Sequence, residues 1–179
     1  MNSLLEEHRL PLLDRQRYRQ IFDFPVLHYY QKLGFDFEQE SFEDLCHKFV
    51  DRFMAEFREL PLIPQMHNVL AQIHREGVLQ SVLSATDQPN LNSMIKHFEL
   101  DTVFKFVFGI DNKFAGSKID RGHELIKQSQ IKKTDTVIIG DTLHDLEVGQ
   151  TLGIDVVLLS HGHQCPSRLR PHHDLVIEV

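Results

Sequence analysis

The chain has 179 residues, of which 41% are hydrophobic and 25% charged, and its formal net charge is −7. Its length suits one domain or a core with a small appendage, and its negative charge argues against a nucleic-acid-binding surface. Cys46 and Cys165 are too far apart for a CxxC motif and indicate no disulfide framework. The chain has no apolar run of membrane-spanning length, and MNSLLEEHRL lacks the pattern of a signal peptide. We therefore expect a cytoplasmic protein with no membrane partner.

The chain up to Pro61 carries helical patterns only. Helices are predicted over Asp14–Phe22 and Val26–Leu33, and a longer one begins at Ser41, where Ser41 and Asp44 resemble a capping box. The apolar residues of this longer helix recur at helical spacing: Phe42, Leu45, Phe49, Val50, Phe53 and Phe57. Such a stripe can line a ligand pocket, but the spacing favours core packing between helices.

Beyond Pro64 helices and strands alternate. The predicted elements are helix Met66–Glu76, strand 78–85, helix Leu91–Phe98, strand 104–110, helix Ile119–Gln128, strand 136–140, helix Leu143–Leu152, strand 155–160 and a last strand over 174–179. Apolar strands that alternate with amphipathic helices are typical of an α/β protein with a doubly wound parallel sheet. Ligands of such sheets bind beyond the carboxyl ends of the strands, so the loops to inspect are 84–88, 111–118, 141–145 and 160–165.

The loop after the strand TVIIG contains two carboxylates, Asp141 and Asp145, at the start of a helix. Aspartate there is often a simple helix cap. Gly140 favours more than a cap, because it lets the backbone approach a neighbour closely at the strand tip. Two carboxylates in this position suit Mg²⁺, which binds one or two carboxylates and keeps water and substrate oxygens.

Two further loops carry weaker signals. The Ser84 hydroxyl, with the amides of Ala85 and Thr86, can hold an anion, although a simple turn or cap explains the same residues. Lys118 precedes a helix, where a cation is slightly unfavourable unless an anion lies there too.

The order of these signals resembles the second, third and fourth motifs of the haloacid dehalogenase superfamily: strand–Ser, Lys before a helix, and strand–Gly-Asp-Thr-x-x-x-Asp. Three segments are similar to its phosphoglycolate phosphatase-like branch, namely YRQIFDFPVLHYYQKLGFDF, LIPQMHNVLAQIHREGVLQSVLSA and VVLLSHGHQ. The resemblance covers nearly the whole chain. It implies a remnant of a core helix over 1–10, a small helical cap over 11–60 and an α/β core over 61–179.

The resemblance also implies a Mg²⁺-dependent phosphatase acting on a small phosphorylated metabolite. Asp141 would be a Mg²⁺ ligand and Asp145 a second or outer-shell ligand. Ser84, with the Ala85 and Thr86 amides, would bind the transferring phosphoryl group, and Lys118 would neutralise its charge. The choice of substrate within the class is left open.

The family's first motif, a strand ending in Asp-x-Asp-Gly-Thr that supplies the nucleophile, is absent from this sequence. We therefore expect the chain as given to be inactive, either through loss of its beginning or as a non-catalytic phosphate-binding pseudophosphatase. The missing strand is central in the family's sheet. We predict that the strands ending near Ser84 and Gly140 pair directly, or that a homodimer or strand swap fills the gap.

The tail HGHQCPSRLRPHH suggests one rival, a zinc site. Its candidate ligands are His161, His163, Cys165, His172 and His173. Their spacing matches no standard zinc pattern.

Overall fold

Helices make up the first third of the protein in the computed structural model, which describes residues 1–178. They are α1 (Asn2–Glu7), α2 (Arg15–Ile21), α3 (Val26–Leu33) and α4 (Phe42–Glu56), followed by a 3₁₀ turn at Phe57–Glu59. As predicted, Ser41 caps α4, since its hydroxyl accepts a 3.1 Å hydrogen bond from the Asp44 amide. None of the helices in residues 1–178 combines the length and the apolar character that crossing a bilayer requires.

One hydrophobic cluster joins α1 to the cap helices. Leu4 and Leu5 of α1 are fully buried in it, together with Tyr29, Tyr30 and Leu45. Helix α1, predicted as a remnant of the core, therefore packs its apolar side against the cap.

From residue 66 onward the predicted alternation is confirmed. The elements are α5 (Met66–Arg75), β1 (Gln80–Asp87), α6 (Gln88–His97), β2 (Phe104–Ile110), α7 (Ile119–Ser129), β3 (Val137–Gly140), α8 (Leu143–Leu152), β4 (Asp155–Leu159), α9 (Pro166–Leu169) and β5 (Val176–Ile177). The short helix α9 was not predicted. Residue 179, the end of the predicted last strand, lies outside the described residues.

All strand pairs are parallel, but they form two sheets. Strand β1 pairs with β2, and β3, β4 and β5 form the second sheet in that order. Strand β1 does not end at residue 85 as predicted. It continues to Asp87, which pairs with Ile110 after an irregularity in the register. Parallel sheets flanked by helices confirm the α/β prediction.

Strands β1 and β3 do not pair, so the prediction of direct pairing is wrong. Helix α7 contacts β1, β2 and α8, while α8 contacts β3 and β4. The packing of α7 on α8 therefore connects the two sheets. Val137 and Ile139 of β3 are 51% and 58% exposed, which is unusual for a strand of a parallel sheet.

Candidate functional site

A cavity of about 520 Å³ lies between the helical cap and the carboxyl ends of β1 and β3. All four loops selected from the sequence contribute to it, through residues such as Ser84, Lys113, Asp141 and His163. The rule that ligands bind beyond the carboxyl ends of parallel strands thus locates the cavity correctly.

Lys118 and Asp145 form a buried ion pair at the bottom of this cavity. The Lys118 Nζ lies 2.6 Å from Asp145 Oδ1 and 3.1 Å from the Leu83 carbonyl oxygen. The two side chains are only 11% and 7% exposed. Burial by itself raises the pKa of Asp145, but the Lys118 ammonium and hydrogen bonds from Thr142 and the Asp141 amide bring it below its usual value.

The other carboxylate oxygen of Asp145 belongs to a capping box at the start of α8. Asp145 Oδ2 accepts hydrogen bonds from the amides of Asp141 and Thr142, each at 3.0 Å, and from the Thr142 hydroxyl at 2.7 Å. Gly140 makes this close arrangement possible, because a Cβ at that position would overlap the Asp145 side chain. Both oxygens of Asp145 are therefore engaged within the protein.

Asp141 has a different environment and lines the cavity directly. Its Oδ2 accepts a 2.6 Å hydrogen bond from the His163 amide. Gly162 lies against the same carboxylate, where a side chain would overlap Asp141 Oδ2. The loop 160–164 thus covers one side of Asp141.

Ser84 lies inside β1, and its hydroxyl forms a local turn by accepting a 3.1 Å hydrogen bond from the Thr86 amide. The N-cap of α6 is Asp87, whose carboxylate accepts from the Asn90 amide at 3.3 Å. Ser84, Ala85 and Thr86 all line the cavity. Their role in anion binding stays a prediction, and the Thr86 amide already has an acceptor.

His144, which the sequence did not single out, holds the backbone at Lys118. The Lys118 amide donates to His144 Nε2 at 3.4 Å, and His144 Nδ1 lies 2.9 Å from Glu147 Oε2. Because a backbone amide can only donate, Nε2 is unprotonated and Nδ1 carries the proton.

The cap also contacts the loop 160–164, through residues that local sequence patterns did not reveal. The Arg19 guanidinium donates to the carbonyl oxygens of Ser160, Gly162 and Gln164. The fully buried Gln164 side chain accepts from the Leu143 amide at 2.8 Å and donates to the Phe22 carbonyl at 3.1 Å. The strand-end rule and the GHQ of the resemblance pointed to this loop, but not to its contacts with Arg19 and Phe22.

Aromatic side chains of the cap form the opposite wall of the cavity. This aromatic wall consists of Tyr18, Phe22, Phe24 and Tyr29, with ring centroids 5.1–6.0 Å apart in the contacting pairs. Phe49 and Phe53 of the α4 stripe also line the cavity. The prediction of core packing is thus correct for Leu45 and Phe57, which are buried, and incomplete for Phe49 and Phe53.

Residues 1–178 contain no group of three or more His, Cys, Asp or Glu side chains that could hold a metal ion by themselves. The five candidate zinc ligands are therefore not gathered in one site. His163 stacks on Phe22 with centroids 4.6 Å apart, His173 contacts the Val156 carbonyl, and Cys165 contacts Ser167.

Asp141 alone fits one carboxylate ligand of Mg²⁺, an ion that proteins often bind through one or two carboxylates, substrate phosphate oxygens and water. Asp145 has both oxygens engaged, so it fits an outer-shell role in which it supports the loop 141–145 without contacting the ion.

The family model for haloacid dehalogenase-like hydrolases matches residues 1–159. The chain therefore belongs to this family, and its fold is that of the family's phosphatases.

Solved structures show the same fold. A predicted phosphatase from Clostridium acetobutylicum has a TM-score of 0.79 at 16% identity, covering 99% of this chain and 83% of that one. A haloacid dehalogenase-like protein from Streptococcus pneumoniae has a TM-score of 0.77 at 19% identity, covering 97% and 81%. A predicted phosphoglycolate phosphatase from Haemophilus somnus has a TM-score of 0.74 at 16% identity, covering 98% and 83%.

Among curated proteins, the tyrosine-protein kinase PtkA of Mycobacterium tuberculosis is 26% identical over 96 residues, or 53% of this chain. The match spans 33% of the length of that relative.

Proposed function

We propose that the protein binds a small phosphate monoester together with Mg²⁺ in the cavity at the carboxyl ends of β1 and β3. This binding is the first step of a phosphatase reaction. The observation that carries this proposal is the buried Lys118–Asp145 pair, placed beside Asp141 and Ser84 in one cavity. A cation buried at a helix start is unfavourable unless anionic groups lie beside it, and the cavity next to this pair has room for a further anion.

Lys118 and Ser84 each retain a donor for a phosphoryl oxygen. An ammonium has three N–H donors, and Lys118 uses two of them for Asp145 and the Leu83 carbonyl. The Ser84 oxygen accepts from the Thr86 amide, which leaves its own hydrogen to donate. Together they would hold the phosphoryl group and offset part of its charge.

Asp141 would provide the carboxylate ligand for Mg²⁺, whose charge would neutralise phosphoryl oxygens. The cavity needs that charge, because Asp87, Asp141 and Asp145 line it while Lys113 and Lys118 are its lysines. Without the ion, a dianionic phosphate would meet an excess of carboxylates.

The 179-residue polypeptide has no Asp-x-Asp-Gly-Thr sequence to supply a nucleophile. We therefore propose binding without turnover for this polypeptide, which is also the behaviour of a pseudophosphatase. The free thiols Cys46 and Cys165 support the proposed cytoplasmic location.

Calorimetric titration with inorganic phosphate tests the binding site. We expect saturable binding in Mg²⁺ buffer and a loss of about tenfold or more in affinity for Asp141→Asn. The matched control is Asp101→Asn, at an exposed loop position. No binding by the unaltered protein would overturn the proposed site. Mg²⁺-dependent hydrolysis of 4-nitrophenyl phosphate that Asp141→Ala abolishes would overturn the expected inactivity.

A second copy of the chain is the proposed partner at the unpaired edges of β1 and β3. An exposed apolar strand edge is a template for pairing with another chain. We expect light scattering to detect association that rises with concentration and falls in Val137→Lys/Ile139→Lys. A monomer at all concentrations would contradict this proposal.

A further inference from the structure

The aromatic wall is connected by side-chain contacts to both ends of the proposed phosphate site. The Phe24 ring stacks on His144 with centroids 4.9 Å apart, and His144 accepts the Lys118 amide hydrogen. The Phe22 ring stacks on His163, whose amide donates to Asp141. A phosphate ester held by Lys118 and Ser84, with Mg²⁺ on Asp141, would therefore have its leaving group beside this wall, which lines the same cavity.

The wall contains a buried donor without a partner. Within residues 1–178, the Tyr29 hydroxyl is the one buried side-chain polar atom that makes no hydrogen bond. Tyr29 is 2% exposed and lines the cavity. Burial raises the pKa of Tyr29, which keeps the hydroxyl protonated and able to donate. An unpaired buried hydroxyl is destabilising, and an acceptor on a ligand that displaces the side chains covering the hydroxyl would satisfy it.

The charges in the cavity disfavour an acidic leaving group. Both lysines among the described lining residues already have carboxylate partners, Lys118 with Asp145 and Lys113 with Asp51 at 2.8 Å. The lining imidazoles also have partners, since His144 contacts Glu147 and His163 contacts Tyr18. A second anionic group on the substrate would therefore meet carboxylates and aromatic faces rather than an unpaired lysine or imidazole.

From this geometry we infer that the aromatic wall is a leaving-group subsite for an uncharged aryl ester of phosphate, in which the Tyr29 hydroxyl donates to an acceptor on the aryl group. The inference rests on the proposed phosphate site and names its substrate class. It distinguishes the protein from one that hydrolyses phosphoglycolate, whose leaving group carries a carboxylate.

Binding of four ligands to the whole chain in Mg²⁺ buffer tests the subsite: inorganic phosphate, methyl phosphate, phenyl phosphate and 2-phosphoglycolate. We expect phenyl phosphate to bind about tenfold more tightly than methyl phosphate, because its ring is buried against the wall. We expect 2-phosphoglycolate to bind more weakly than methyl phosphate.

The outcomes separate this inference from the proposed function. If inorganic phosphate binds but phenyl phosphate binds no better than 2-phosphoglycolate, the leaving-group subsite is refuted and the phosphate site stands. If no ligand binds, both are refuted.

Two variants identify the groups responsible. Phe24→Ala is expected to remove most of the preference for phenyl phosphate over methyl phosphate, measured as the ratio of the two dissociation constants within the same variant. The ratio is used because Phe24 also stacks on His144, so a change in phosphate binding itself cancels out. The control is Phe37→Ala, because Phe37 packs against the cap cluster and is not among the lining residues. If Phe24→Ala and Phe37→Ala change the preference for phenyl phosphate equally, the proposed role of the aromatic wall is refuted.

Tyr29→Phe tests the hydroxyl. We expect one isomer of acetylphenyl phosphate (2-, 3- or 4-) to bind the unaltered protein about threefold more tightly than phenyl phosphate, and Tyr29→Phe to abolish this gain. The ligand-free variant should melt at a higher temperature, since it lacks the unpaired hydroxyl. An acetyl gain that survives in Tyr29→Phe, or no gain for any isomer, would refute the assigned hydrogen bond.

Discussion

Replacing Lys118 with methionine removes the cation of the buried pair and keeps a side chain of similar length. The Asp145 carboxylate and the Leu83 carbonyl would lose a donor in a place where the two paired side chains are only 11% and 7% exposed. Removing one partner of a buried ion pair typically costs about 3–5 kcal/mol, because the other charge stays buried and uncompensated. We expect a loss of this size in the free energy of unfolding at pH 7.

Lys113→Met is the matched control. Lys113 and Asp51 are 2.8 Å apart, but their side chains are 28% and 69% exposed. An exposed pair contributes only about 0–1 kcal/mol, so the same substitution should have a small effect there. Because the protein has no tryptophan, urea unfolding is best followed by circular dichroism of its helices.

The pH dependence of the Lys118→Met effect tests its cause. In the native protein the pKa of Asp145 is lowered, so its contribution to stability is present above the unfolded pKa of about 4 and is lost as pH falls through the folded value. In the variant, burial is no longer offset by Lys118, so the pKa of Asp145 rises relative to the native protein, and acid removes the unfavourable charge. The cost of Lys118→Met should therefore shrink between pH 7 and about pH 4. A cost equal to that of Lys113→Met, or one independent of pH, would refute the reasoning.

Three further predictions concern the loop 160–164 and the thiols. Gly162→Ala should weaken Mg²⁺-dependent phosphate binding in calorimetry, because the added Cβ would overlap the Asp141 carboxylate that the loop covers; unchanged affinity would contradict this. Gln164→Leu should lower the free energy of unfolding by about 1–3 kcal/mol in urea, since it leaves the Leu143 amide without an acceptor, while the Phe22 carbonyl keeps Arg168 as a donor; exposed Gln150→Leu should change it little. In the native protein a disulfide reagent should modify Cys165 and spare Cys46, because burial raises the pKa of the Cys46 thiol to about 12 while hydrogen bonds lower that of Cys165; equal rates would contradict the burial of Cys46.

Local patterns in the sequence predicted most of the helices and strands. They failed where contacts between residues distant in the sequence determine the bounds of an element. Helices α3 and α8 and strand β2 have the predicted bounds, since each combines strong periodicity with a clear start and stop. Strand β1 continues beyond its predicted end because Asp87 pairs with Ile110 of the neighbouring strand.

The candidate site shows the same division between local and distant information. The spacing of Asp141 and Asp145 indicated two carboxylates at a strand tip, but spacing cannot distinguish a metal ligand from a helix cap. In the structure, Lys118 and the capping box of α8 engage both carboxylate oxygens of Asp145, which the spacing does not show. Contacts such as those of Arg19 and Gln164, which join residues more than 140 positions apart, leave no local pattern to read.

Helix α2 carries both an aromatic ring of the wall and the guanidinium that holds the loop 160–164. Any movement of this helix away from the strand tips would break the contact between Tyr18 and His163 and pull on the segment that covers Asp141. One short helix thus supports both the aromatic side of the cavity and the loop over Asp141, so a substitution that loosens α2 is expected to disturb both at once.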